Sequence, residues 1–291
     1  MNNFHLAGII PVAGQKLDFN MPWHDCLMPL APDYLAIEKS VLACAHAGCE
    51  TIWVVCNEDT QPLIRYRLGD YVQDPVWIFR KFEKRANDFQ KIIPIFYVPI
   101  HPNDRAKRDC LAWSVLYGAY ISNKITSSMS KWVKPDKYFV DFPYGVYKVS
   151  SLREYRNVLS SESNFSLSYN NKTVKNNLYL PFTFAYEDYR KMNRELKKNS
   201  TGLYKKYDLE NKEKLSLEDR YSARFFNLEE VFNNLNFGVS EETDWYYGID
   251  GWKEYTKFLS EMAEHVRKPP KSIFKYREFN GIGVNKEEND N

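Results

Sequence analysis

The sequence has no run of 18 apolar residues, which excludes a membrane-spanning helix of ordinary length. The N-terminus lacks a basic stretch followed by an apolar segment and a cleavage site, so no export signal is read and a cytoplasmic protein is expected. Cysteines are few. Cys26, Cys44, Cys49, Cys56 and Cys110 form an odd set without C-x-x-C spacing, which excludes a disulfide framework and a zinc site and predicts reduced thiols, most of them small core residues. An excess of either charge is also missing. With 40 basic and 38 acidic side chains the formal net charge is +2, so bulk charge does not drive nucleic-acid binding, although a local basic patch stays open.

What the chain has in excess is aromatic: 21 Tyr, 18 Phe and 7 Trp, or 16% of 291 residues. Codon bias from an AT-rich genome is the plain explanation, and stacking surfaces for bases or partners are the functional one. The length fits one large α/β domain with a C-terminal elaboration.

The first half alternates strand and helix patterns. His5 to Val12 is an apolar run of strand length that ends at Ala13-Gly14. After a polar and aromatic loop, Asp33 is placed to cap a helix carrying Leu35, Ile37, Val41, Leu42 and Ala45, which stops at Gly48. Thr51 to Cys56 reads as a strand buried on both faces, Thr60 to Tyr71 as a helix, and Ile92 to Val98 as a strand. Asp109 to Ser122 reads as a helix and Tyr138 to Phe142 as a fourth strand. This alternation predicts right-handed βαβ units and a mostly parallel, Rossmann-like sheet flanked by helices. Ligands of such sheets bind beyond the carboxyl ends of the strands, which singles out Ala13 to Asp25, Pro99 to Asp109 and Asp141 to Gly145.

The second half is less regular. Asn164 to Asn177 reads as a polar hairpin or loop, Leu178 to Ala185 as a strand, and Tyr186 to Lys198 as a helix. A charged surface stretch follows, to Lys214. Asn227 to Leu235 reads as a short amphipathic helix, Gly251 to Val266 as a final one, and Glu278 to Asn291 as a polar tail. The expected organisation is a nucleotide-binding-type core over 1–150, its continuation with acceptor-side additions over 151–277, and the tail over 278–291.

AGIIPVAG (Ala7 to Gly14), CLMPLAP (Cys26 to Pro32) and a helix ending in AHAGCETIWVVC resemble the opening of the sugar-nucleotide nucleotidyltransferases. KYFVDFPYG (Lys137 to Gly145) resembles that family's strand ending in a metal-binding Asp, and WYYGIDGWKEYTKF (Trp245 to Phe258) its later Asp-Ile-Gly-Thr segment. The resemblance implies an α/β fold of the nucleotide-diphospho-sugar transferase type with an irregular C-terminal addition. It also implies a nucleotide or sugar-nucleotide ligand, and nucleotidyl transfer to a sugar phosphate with Mg2+. Such in-line transfer needs backbone N–H groups, cations on the phosphates, and carboxylates on the metal. Carried over, the roles fall on Lys16 and Asp141 for catalysis, on Ala13, Gly14, Gln15, Lys16 and Arg105 for nucleotide contact, and on Asp141 and Asp250 for the metal.

The sequence also departs from that pattern. Gln15-Lys16-Leu17-Asp18 replaces a Gly-rich loop with Thr-Arg, and Asp25 stands where a Lys is expected. Leu111-Ala112-Trp113 replaces a small segment beside the base. The later Asp aligns with Gly248, leaving Asp250 or Asp244 to reach its place. Each candidate has a plainer reading. Asp141 could cap the turn of Pro143 and Gly145, Asp250 could cap the last helix, and Ala13 to Lys16 could be an ordinary turn. His101, Asn103, Asp104, Arg105, Lys107 and Arg108 could be a solvated face, and His24 with Asp25 reads as surface. A second functional reading follows: the fold is kept, the catalytic set is lost, and the chain acts as a binding or scaffold protein with a protein partner. A rapidly evolving genome, such as that of a phage, suits both composition and loss. A glycosyltransferase would want Asp-x-Asp at the end of the fourth strand, where Asp141-Phe142-Pro143 stands.

Overall fold

The computed structural model describes residues 4–14, 19–78, 92–105, 108–129, 134–203, 226–262 and 265–266. In chain order the strands are β1 (Leu6–Pro11), β2 (Pro29–Ala31), β3 (Tyr34–Leu35), β4 (Thr51–Cys56), β5 (Tyr71–Gln73) and β6 (Ile92–Pro99). They continue as β7 (Lys137–Val140), β8 (Gly145–Val146), β9 (Phe165–Ser168), β10 (Phe182–Ala185), β11 (Val239–Glu242) and β12 (Tyr247–Gly248). The helices are α1 (Ala36–Ala47), α2 (Gln61–Leu68), α3 (Pro75–Ile78), α4 (Pro102–Arg105), α5 (Leu111–Met129), α6 (Arg156–Leu159), α7 (Tyr186–Leu203), α8 (Leu228–Phe232) and α9 (Trp252–Glu261).

One eight-stranded sheet runs β11-β9-β10-β7-β1-β4-β6-β5. Its centre, β7-β1-β4-β6, is parallel throughout. β1 over its whole length, and β4 from Ile52 to Cys56, are apolar and buried on both faces, as a covered parallel sheet requires. β10 runs antiparallel to β7, and β5 closes the far edge antiparallel to β6. The sheet is thus mixed and mostly parallel, with helices on both faces. Adjacent residues of β1 report the two layers: a Cβ on Gly8 would meet Cys44 of α1, whereas Ile9 lies against Gly118 of α5.

Strand order places the crevice. The chain steps from β1 to β4 to β6 in one direction, then returns through α5 to β7 on the other side of β1. Right-handed crossovers therefore put α1 and α5 on opposite faces and leave a switch point beyond the carboxyl ends of β1 and β7.

Several local expectations change. Asp33 does not cap α1. It sits in the β2–β3 turn with φ +57°, and its carboxylate takes Arg67 Nη2 at 2.8 Å. The N–H of Leu35 instead donates to Glu38 Oε2 at 2.8 Å, which fastens the first turn of α1. The helix expected to reach Tyr71 ends at Leu68, where Gly69 and Asp70 lead into β5. Of the two readings of Asn164 to Asn177, hairpin or loop, the hairpin is the nearer one: Phe165–Ser168 is a buried strand, and Tyr169 bridges antiparallel to Lys172. All five cysteines are free and buried. No helix among the described residues is long and apolar enough to cross a membrane. The polar tail over 278–291 lies outside the described residues.

Candidate functional site

The start of the turn after β1 is held by its own surroundings. The N–H groups of Val12 and Ala13 both donate to Val55 O, at 2.8 and 3.1 Å. The carbonyl of Ala13 accepts Ser114 Oγ of α5 at 2.5 Å. Gly14 has φ +85°, and a Cβ there would lie 2.5 Å from the backbone of Cys110, so only glycine fits. Ala13 therefore keeps no backbone N–H for a phosphate. Gln15 and Lys16 lie outside the described residues.

Across the switch point, Asp141 follows β7 and is fully buried. Its Oδ2 accepts Lys39 Nζ at 2.8 Å and its Oδ1 accepts the Tyr147 hydroxyl at 2.6 Å. Lys39 arrives from the second turn of α1 and also donates to the carbonyls of Phe142 and Gly145, at 2.7 Å each. Burial pulls the Lys39 ammonium below its usual range, against the opposing pull of Asp141. Burial, then the neighbouring carboxylate, pushes the Tyr147 phenol well up. Tyr144 fills the adjoining space, fully buried, with its hydroxyl 3.4 Å from Val12 O. Gly145 permits the closure: a Cβ there would stand 1.9 Å from Tyr179 O.

The other candidates disperse. Asp250 is half-buried and its Oδ2 accepts the Tyr179 hydroxyl at 3.2 Å, while Gly251 precedes the first turn of α9. Gly248 belongs to β12, paired with Gly145 of β8. Arg105 ends α4 and is exposed. Arg108 lies over the Trp113 ring at 4.7 Å and pairs loosely with Asp104 at 3.9 Å; Lys107 lies outside the described residues. Leu111, Ala112 and Trp113 are buried at the start of α5 and fill the space beside the turn. His24 and Asp25 are not surface residues. Both are buried, and His24 Nδ1 accepts the Cys26 N–H at 3.3 Å. Burial lowers the His24 imidazole to about 4, which keeps it neutral and able to accept.

These residues do not fit a Mg2+ ion. Such a site needs carboxylate oxygens facing the ion and its waters. Here the Asp141 carboxylate is engaged by an ammonium and a phenol, and no three His, Cys, Asp or Glu side chains among the described residues group as metal ligands. The arrangement neutralises a buried carboxylate internally. Tyr144 lies in the singled-out segment Asp141 to Gly145, whereas Lys39 and Tyr147 were not read from the sequence. A signal for Lys39 existed: its neighbours at i±3 and i±4 are Leu35, Ala36, Leu42 and Ala43, so a charge stands on an apolar helix face.

No protein-family model matches the chain, and no curated protein matches it by sequence. Solved structures do. A Bacillus anthracis structure assigned as a glucose-1-phosphate thymidylyltransferase, in complex with sucrose, is similar with a TM-score of 0.53 at 9% identity, covering 92% of this chain and 98% of that one. A UDP-glucose pyrophosphorylase complexed with UDP-glucose has a TM-score of 0.48 at 10% identity, covering 90% of this chain and 100% of that one. The first likeness shows the fold: a sheet of the sugar-nucleotide nucleotidyltransferase type.

Proposed function

We propose that this chain uses a sugar-nucleotide-transferase-type fold for binding and not for nucleotidyl transfer. The observation that carries this reading is that the polar groups described at the switch point are engaged within the chain. Ala13 N–H is held by Val55, Ala13 O by Ser114, and Asp141 by Lys39 and Tyr147. Transfer at phosphorus depends on preorganised donors and cations aimed at the phosphates, and donors already engaged inside the chain do not serve. Fold alone does not supply an activity.

Melting with each nucleoside triphosphate, UDP-glucose and ADP-glucose, with and without Mg2+, tests the proposal. The expected result is no shift that follows ligand concentration and no pyrophosphate exchange. A saturable, Mg2+-dependent shift together with exchange overturns it.

One observation favours a second reading. Arg105 is an exposed cation beyond the carboxyl end of β6. Its guanidinium would hold a nucleotide's phosphates at the outer rim, without chemistry. That reading expects a shift independent of Mg2+ and lost in Arg105→Ala.

A further inference from the structure

The ammonium of Lys39 has three protons, and all three have an acceptor: Asp141 Oδ2 at 2.8 Å, Phe142 O at 2.7 Å and Gly145 O at 2.7 Å. One carboxylate and two carbonyls form an all-oxygen cradle, the donor set that hard cations choose. Tyr147 adds its ring face, 5.1 Å from Nζ, and its hydroxyl on the second carboxylate oxygen. The cradle lies at the carboxyl end of β7, where the resemblance implies a metal. Lys39 is 1% exposed and Asp141 is fully buried, so neither exchanges its partner at the surface.

We infer that Lys39 is the resident cation of this crevice, a built-in primary ammonium that takes the place of a metal ion and leaves a latent ammonium-binding site when its side chain is shortened. Three consequences follow from the geometry. Lys39 has no donor left for a ligand phosphate. The wild-type chain takes no divalent cation at Asp141. Removing the side chain beyond Cβ leaves oxygens spaced at hydrogen-bond length from a single nitrogen, a fit to n-propylammonium and not to a small ion such as Mg2+, whose oxygens must lie closer. The inference concerns the cation alone and extends the non-transfer reading, on which its functional meaning rests.

The test is chemical rescue. Lys39→Ala should melt well below the wild type, because it strands a buried carboxylate. n-Propylammonium chloride should raise its melting temperature saturably, whereas n-propanol and tetramethylammonium chloride should not, since neither places three N–H donors in the cradle. Lys39→Ala/Asp141→Ala should not respond. Equal rescue by propanol, or no rescue at all in a folded variant, overturns the inference. If Lys39→Ala does not fold, the wild type decides by two measurements. Mn2+ titration followed by electron paramagnetic resonance should show no site that Asp141→Asn removes. Side-chain 15N spectra should show an exchange-protected lysine ammonium, distinct from that of Lys137 (identified by Lys137→Met), unmoved by millimolar Mg2+. A Mn2+ site lost in Asp141→Asn, or displacement of that signal by Mg2+, overturns the inference. Pyrophosphate exchange by a wild type that still passes the cation tests would sink the non-transfer reading and leave this one standing.

Discussion

A buried ammonium and a buried carboxylate are each costly alone and tolerable together, which makes Lys39 and Asp141 interdependent. Asp141→Ala should lose about 3–5 kcal/mol in urea unfolding, since it leaves the Lys39 ammonium among carbonyls. Lys39→Met/Asp141→Leu should lose much less than the sum of the single changes, because neither charge is then stranded. Strict additivity would show that the pair is not coupled. Gly145 is constrained more simply. A methyl group there meets Tyr179 O at 1.9 Å, so Gly145→Ala should cost about 1–3 kcal/mol through backbone displacement. Equilibrium unfolding that leaves this variant unchanged would contradict the contact. Asp141 was legible as a strand-end carboxylate, but its role was not, because its partner lies 102 positions earlier in the sequence.

At the scale of elements, long apolar runs announced themselves. β4 spans the residues the pattern picks out, and β1 and β6 differ from expectation only at their ends. The short β2–β3 hairpin and the edge strand β5 escaped, because two or three residues carry too little periodicity. β9 escaped for another reason. Its Ser166 and Ser168 fall in a polar stretch read only as a hairpin or loop, yet Ser166 Oγ meets Ser240 at 3.2 Å and Ser168 Oγ donates to Glu241 O at 3.0 Å. Hydrogen bonds to β11 let polar side chains be buried, and composition cannot see neighbours 73 and 74 residues on. The hairpin, α1 and α2 are joined through Glu38, which accepts Leu35 N–H and Arg67 Nε, each at 2.8 Å, while Arg67 also reaches Asp33. Glu38→Ala should therefore lose about 1.5–3 kcal/mol and loosen all three. Hydrogen exchange should rise in residues 29–47 and 61–68 together; a rise confined to α1 would refute the shared anchor.

The whole molecule should weaken in mild acid through one buried and one half-buried imidazole. His24 and His46 are both held at about 4, first by burial, with Arg156 and Arg153 adding to the effect at His46, against an ordinary value of 6.5. Between those values only the unfolded chain binds the protons. The stability is complete above 6.5 and is lost as pH falls toward 4. Melting temperature followed from neutral pH downward should decline over that window, and His24→Asn and His46→Gln should each flatten the decline. A profile unchanged by both substitutions would assign the acid sensitivity elsewhere. The sequence by itself determined the class of fold. Apolar strand runs alternating with helices permit few arrangements other than a covered parallel sheet with right-handed crossovers, and that sheet fixes which edge could hold a ligand. Only the tertiary structure decided what occupies that edge. Ser114, Val55, Lys39 and Tyr147 reach it from separate elements, and whether a donor faces a ligand or a neighbouring side chain depends on contacts between residues far apart in the chain.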